Sequence, residues 1–275
     1  MKKETHTRTD KNIKDFYTTY GDRITEKRLN SPYKLRRYAH VAQYNSILAH
    51  VGSGMRVLDA GCGEGTLAIM MAKKGAKVTG CDLSEPNIEN ARMYAKESDV
   101  IDIQFIAGDS EHLPFGDNEF DLVVSSHVLE HLPDFDAGLK EVMRVTKKRA
   151  VIAIPTVINL CSLVQVGGGS FFRKNVRSFV AFPKGLLRAI LALVRGEEGV
   201  DETYGGADVP HVFRFPRVMI HKIEKYGFHL IAYEAPSICF PYFELFLPLI
   251  RFLDKFKSKK GFRNCGYGTT FVVEK

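Results

Sequence analysis

The segment Val57-Leu58-Asp59-Ala60-Gly61-Cys62-Gly63-Glu64-Gly65 constrains the chain more than any other. Residues 56–59 read as a short strand, three glycines follow at alternate positions, and 66–73 has helical texture stopped by Gly75. A strand turning on glycines into a helix presents the N–H groups of the helix N-terminus, with few Cβ atoms to hold a ligand away. Such a unit belongs in an α/β sheet, and the texture downstream agrees. Residues 77–81, 102–107, 120–125 and 149–154 read as strands. Between them lie a helix to about residue 96, capped by Ser84 with Pro86 early in it, and another over 133–146. The alternation predicts a doubly wound parallel sheet. A helix over 216–226, stopped by Gly227, and strands at 228–234 and 269–274 bring the count to seven strands.

Three acidic markers follow three successive strands. Asp59 stands two residues before the first glycine, Asp82 ends the second strand, and Asp109-Ser110 follows the third. A dinucleotide fingerprint would carry glycine where Thr66 stands, since its third glycine lies three residues after the second. A carboxylate at Asp59 would meet a pyrophosphate badly and suits a cofactor with a cationic end. S-adenosylmethionine, with its sulfonium and ammonium, meets that demand. Asp82 can accept ribose hydroxyls, and Asp109 can take an adenine amine with Ser110 beside it. Singly, each marker could be a turn or a helix cap; together they read as one cofactor site.

The stretches V-L-D-A-G-C-G-E-G, G-C-D-L-S and A-G-D-S-E-H-L-P-F-G-D-N-E-F-D-L-V-V-S-S-H-V-L-E-H resemble class I S-adenosylmethionine-dependent methyltransferases, in the branch typified by ubiquinone and menaquinone biosynthesis. The resemblance covers about 55–155, weakens over 211–275 and is absent in detail elsewhere. It implies a Rossmann-like, doubly wound seven-stranded sheet in the order 3-2-1-4-5-7-6 with strand 7 antiparallel. It implies that Asp59, Gly61 and Gly63, with Cys62 between the glycines, bind the methionine end. It implies further that Asp82 and Leu83 hold the ribose, that Asp109 and Ser110 hold the adenine, and that His127 lines the methyl end. The expected domains are a helical N-terminal extension or lid over 1–50 and a methyltransferase domain over 51–275, with a lid insert at about 156–210.

Methyl transfer from a sulfonium is an in-line displacement with a neutral leaving group, so positioning carries much of the rate. A base is needed only where the acceptor, a hydroxyl or an acidic carbon, must lose a proton. His127 and His211 are the catalytic candidates, with Glu130 and His131 behind them; histidine titrates near the working range. If helical, His127 and His131 would share a face at i and i+4. That spacing suits a metal pair, but no third ligand is evident nearby, and no metal is expected. His131 also reads as a packed histidine, and His211 as a simple loop residue.

The acceptor is expected to be small, organic and apolar. Residues 156–195 contain no Asp or Glu and six Lys or Arg, and 183–195 is amphipathic, with Lys184, Arg188 and Arg195 on one side and Leu187, Ile190, Leu191 and Val194 on another. Such a helix can lie in a membrane interface. So can 241–260, rich in Phe and Leu and ending in Lys255, Lys257, Lys259 and Lys260. Equally, both can be lid helices packed on the sheet. A net charge of +7, with 11 bases against five acids up to Arg37, leaves anionic partners open. No aromatic-rich basic module or Asn-Pro-Pro-Tyr motif argues for a nucleic-acid substrate. A cofactor-binding scaffold without catalysis and a nicotinamide oxidoreductase are the other readings. Five cysteines without a C-x-x-C pair and a polar, leaderless start suggest a reduced cytoplasmic setting, with peripheral membrane contact open. The composition, 45% hydrophobic and 26% charged, excludes a disordered or collagen-like chain.

Overall fold

The computed structural model describes residues 10–21, 24–173, 175–202, 211–238, 241–242, 244–259, 262–263 and 266–275. The glycine-bearing segment 203–210, Lys174, Cys239, Lys260 and Cys265 lie outside them. Helices α1 (Asp10–Thr18), α2 (Ile24–Leu29) and α3 (Lys34–Leu48) precede the sheet. Then come β1 (Arg56–Ala60), α4 (Thr66–Lys73), β2 (Lys77–Asp82), α5 (Glu85–Glu97), β3 (Ile103–Ala107), β4 (Phe120–Ser126), α6 (Phe135–Val145) and β5 (Thr146–Ile154). The insert holds α7 (Leu160–Val166), α8 (Val176–Val194) and the strand β6 (Gly199–Asp201), which pairs antiparallel with β7 (Val212–Arg214). After α9 (Pro216–Lys225) and β8 (His229–Glu234), a short pair, β9 (Ser237–Ile238) and β10 (Gly266–Tyr267), brackets α10 (Leu247–Leu253), and β11 (Thr269–Glu274) follows.

The main sheet runs β3-β2-β1-β4-β5-β11-β8. Counted along the chain, its seven strands stand in the expected order 3-2-1-4-5-7-6, and β11 lies antiparallel to both neighbours. Alternation along each strand divides the core between two faces. Leu58, Val123, Ile152 and Phe271 point to the side covered by α6 and α9, through Leu139, Met143, Met219 and Ile223. Val57, Val124, Val151 and Val272 point to the other, against Ile47, Leu67, Ile69 and Ile88 of α3, α4 and α5. The caps follow their side chains: Ser84 Oγ accepts from Asn87 N at 3.2 Å and Asp134 Oδ1 from Ala137 N at 2.9 Å. The carboxyl ends of β1 and β4 lie side by side, Asp59 level with Val124. The strand order reverses there, which opens a crevice at that end of the sheet.

Two elements differ from expectation. The amphipathic stretch expected over 183–195 is the second half of a longer helix, α8, capped by Asn175 and running through Pro183. Its leucines do not pack on the sheet. Instead Ser178, Ala181, Gly185, Ala189 and Ala192 form its buried side. These small residues let α8 lie on α7 at close range: a Cβ on Gly185 would stand 1.8 Å from the Leu163 carbonyl oxygen. Second, His127 and His131 do not share a helix face. His127 adopts φ +58°, which no helix accommodates, and only Leu129–His131 forms a 3-10 turn.

Candidate active site

Every expected cofactor residue lines one cavity of about 450 Å³ at the carboxyl end of β1 and β4. The glycine turn is built by backbone constraint. Gly61, Gly63 and Gly65 have φ of +81°, +51° and +77°, where other L-residues are strained. The N–H groups of Gly61 and Cys62 both donate to the Cys81 carbonyl, at 2.7 and 3.0 Å, which ties the turn to the end of β2. A Cβ on Gly61 would strike Val128 at 2.2 Å, whereas one on Gly63 would meet nothing within 4 Å. Gly63 therefore faces the open cradle.

Asp59 lies beneath this turn, 2% exposed. Its Oδ2 is buried without a hydrogen-bond partner. Burial, with the Asp82 and Glu64 carboxylates nearby, pushes its carboxyl up to about 7. A buried carboxylate flanked by two more acids calls for a cation. Asp82 is a staple as well as a candidate ligand: Oδ2 accepts from Gly63 N at 2.8 Å, and Oδ1 from Ser84 N at 3.0 Å and Asn87 Nδ2 at 3.4 Å. Of about four lone-pair sites on a carboxylate, this leaves room for one ribose hydroxyl where the sequence suggested both. Burial raises the Asp82 pKa against those N–H donors. The Cys62 thiol is buried and held well above its usual range, by burial first and by Asp82 and Asp59 next; it is an inert wall of the turn.

Asp109 Oδ1 accepts from Glu111 N at 2.9 Å, and Oδ2 pairs at 2.6 Å with Lys14 of α1, which also reaches Glu111 at 2.7 Å. Burial pulls the Lys14 ammonium down, and the two carboxylates outweigh it, so its pKa is raised. The N-terminal segment closes the cavity from this side. Thr25 N donates to Glu64 Oε1 at 2.7 Å, Ser84 Oγ bonds the Tyr20 carbonyl, and Phe16, Tyr17, Tyr20 and Arg28 line the space beneath.

The candidate base sits opposite. His127, in left-handed backbone that a non-glycine residue seldom adopts, places Nδ1 3.0 Å from Glu130 Oε1, while its Nε2 is buried without a partner. Burial opposes ionisation of Glu130, but the His127 hydrogen bond and the His127, His131 and His211 imidazoles together outweigh it and lower the carboxyl pKa. His211 stacks on His131, centroids 4.7 Å apart and planes 18° apart. Burial, with His131 alongside, lowers the His211 pKa to about 3, so the ring is neutral at pH 7 and weakly basic. The His127–His131 pair suggested by spacing does not converge; instead donor atoms of Glu130, His131 and His211 lie within 4.8 Å of one another, close enough to hold a cation.

Sequence reading missed several lining residues. Arg28 and Glu202 arrive from distant segments with no local motif, as does Lys14, which reaches the lining residue Asp109; burial pushes the Glu202 carboxyl up to about 7. No helix among the described residues is long and apolar enough to cross a membrane.

Residues 58–154 match the family model described as a methyltransferase domain. The chain is 32% identical over 164 residues to the ubiquinone biosynthesis O-methyltransferase of Mesorhizobium japonicum, covering 58% of this chain and 62% of that relative. It is 34% identical over 129 residues to the demethylmenaquinone methyltransferase of Listeria welshimeri, covering 46% and 55%. The chain thus spans less than two thirds of the length of these curated relatives. Among solved structures, magnesium protoporphyrin IX methyltransferase from Synechocystis PCC 6803 with bound SAH superposes with a TM-score of 0.58 at 17% identity, covering 97% of this chain and all of that one. The [4+2]-cyclase SpnF superposes at 0.56 and 17% identity, covering 86% and 82%. These likenesses establish the fold, and the cyclase illustrates that the fold alone does not fix a chemistry.

Proposed function

We propose, from the premise that this chain carries a class I methyltransferase domain, that it transfers a methyl group from S-adenosylmethionine to oxygen or carbon of a small apolar organic acceptor. One observation carries the reading: the buried, unpartnered carboxylate oxygen of Asp59 beneath a glycine cradle whose Gly63 is open. A cationic amino-acid end satisfies that oxygen, whereas a pyrophosphate would be repelled by it. Bound S-adenosylmethionine supplies a methyl group activated on a sulfonium.

This chain's residues do the rest. The Asp59 carboxylate accepts the ammonium, Gly61 and Gly63 allow close approach, and Asp82 takes a ribose hydroxyl on Oδ2. Leu83 covers the ribose, and Ser110 with Asp109 meets the adenine edge beside Lys14. Glu130 orients His127 through Nδ1, leaving Nε2 to accept a proton from an acceptor hydroxyl. His211, stacked on His131, shapes the acceptor wall rather than taking that proton. Phe16, Tyr17 and Phe213 give the acceptor space an apolar lining. The names of the curated relatives support a quinone-like class of acceptor, and nothing in the site calls for nucleic acid.

Calorimetry with S-adenosylmethionine and NAD tests the cofactor, and heat with NAD alone would remove the reading. His127→Gln tests the base: it should retain cofactor affinity and slow methyl transfer to a hydroxyl acceptor by about 10²–10⁴-fold. Undiminished turnover would take His127 out of the chemistry. His211→Ala should keep most turnover, with any loss appearing in acceptor KM.

A further inference from the structure

The outward face of α8 has no counterpart in the packing of an ordinary lid helix. Nine large apolar side chains on this one helix are exposed, among them Val180 at 60%, Leu187 at 58% and Val194 at 79%. A helix advances 100° per residue, which sorts α8 into three stripes. Ser178, Ala181, Gly185, Ala189 and Ala192 face α7. Val180, Leu187, Ile190, Leu191 and Val194 lie opposite. Arg177, Lys184, Arg188 and Arg195 run along one border between them. An apolar stripe normally faces the core; here the small residues take that place and the leucines are left outside.

The apolar face continues onto a second element. The Phe179 ring lies 4.7 Å from Tyr242, whose hydroxyl bonds the Ser178 carbonyl. Just beyond Tyr242, Leu245 is 83% exposed, and Phe246, Leu249 and Phe252 are exposed too. Lys255 and Lys259 follow, their ammonium groups over the Phe252 and Phe256 rings.

We propose that this face seats the protein on an anionic lipid bilayer, with α8 lying in the interfacial plane. Charge decides the occupant. Residues 156–195 carry six Lys or Arg and no acid, so this stretch alone holds +6 while the whole chain holds +7. A second copy laid on the face would bring the same acid-free, basic stretch with it, whereas an anionic headgroup layer complements the border and the acyl region takes the leucines. Placement agrees. The helix on which α8 rests, α7, presents Ser162 and Gln165 to the cavity, so only α7 separates α8 from the acceptor space. In that one respect the inference rests on the proposed function: an apolar acceptor dissolved in the bilayer would be taken up on the docked side.

The test is sedimentation of the full chain with vesicles of phosphatidylcholine and phosphatidylglycerol, against phosphatidylcholine alone. Expected is binding to the anionic vesicles, weakened by salt and by removal of the anionic lipid. The double variant Leu187→Glu, Leu191→Glu should weaken partitioning roughly tenfold or more, with thermal midpoint and S-adenosylmethionine binding unchanged. Lys184→Glu should weaken binding to anionic vesicles. No sedimentation at low salt would overturn the proposal, as would wild-type binding by the double variant. So would a concentration-dependent dimer that the double variant abolishes without any vesicle binding, which would assign the face to copies of this chain. Sedimentation needs no cofactor, so a chain that binds vesicles but not S-adenosylmethionine would remove the methyltransferase reading and keep this one.

Discussion

At the scale of single residues, Asp59 connects stability to binding with opposite signs. Its folded-state pKa of about 7 stands above the ordinary 3.8. The stability this group contributes is therefore present below pH 4 and lost as pH rises through 7. Asp59→Asn should raise the thermal midpoint at pH 8, yet weaken S-adenosylmethionine binding by about ten- to a hundredfold, the loss of one charge-assisted hydrogen bond. Calorimetry on the wild type should show affinity rising with pH up to about 7 and proton release below it, because a bound ammonium favours the carboxylate. Flat affinity between pH 5.5 and 8 would contradict that account. Residues such as Asp59 and Asp82 are legible in the sequence because each follows a strand that fixes where its side chain begins. Lys14 and Arg28 are not: the packing of the N-terminal helices brings Arg28 to the cavity and Lys14 to Asp109, and no neighbour in sequence announces either.

At the scale of elements, strands and caps are readable where their signals are local: the apolar run at 149–154 for β5, Ser84 for α5. The orientation of α8 was not readable, since a leucine-rich stripe ordinarily faces the core, and alanines and glycines carry no directional signal. Their role is close approach. Gly185→Val should wedge α8 from α7, because its first added carbon already meets backbone at 1.8 Å; a cost of about 1–3 kcal/mol is the usual range for overpacking. Differential scanning calorimetry should record a lower midpoint, and no change would refute the close-packed contact. The α1 clasp behaves differently. Lys14 and Asp109 are 32% and 24% exposed, so their ion pair contributes at most about 1 kcal/mol. Lys14→Gln should speed amide exchange over 10–21 and leave the sheet protected.

At the scale of the molecule, the order of the sheet makes β11 indispensable. It pairs with β5 over six residues on one side and with β8 on the other, and Arg149 meets Glu274 across that seam. Removing 269–274 should abolish cooperative unfolding by circular dichroism, since β8 then has no partner in the sheet. Buried imidazoles act on acid stability with the opposite sign to Asp59. His40 lies well below its usual pKa and His211 at about 3, each lowered first by burial. Groups that fold neutral contribute stability above their unfolded pKa, near 6.5, and lose it as pH falls below that value. Between pH 6.5 and 4 the wild type should therefore lose midpoint relative to a His40→Gln, His211→Gln variant, against the opposite contribution of Asp59. The strand order was legible only through family likeness, because periodicity names strands without saying which stand side by side.

Val128 touches the space above Gly61, and its neighbour in the chain is His127. On the roles proposed above, donor seat and proton acceptor therefore share one short segment, and a substitution at Val128 should disturb both. A change of acceptor chemistry is then easier to introduce from the far wall, where Ser162 and Gln165 of α7 and Phe213 of β7 line the space.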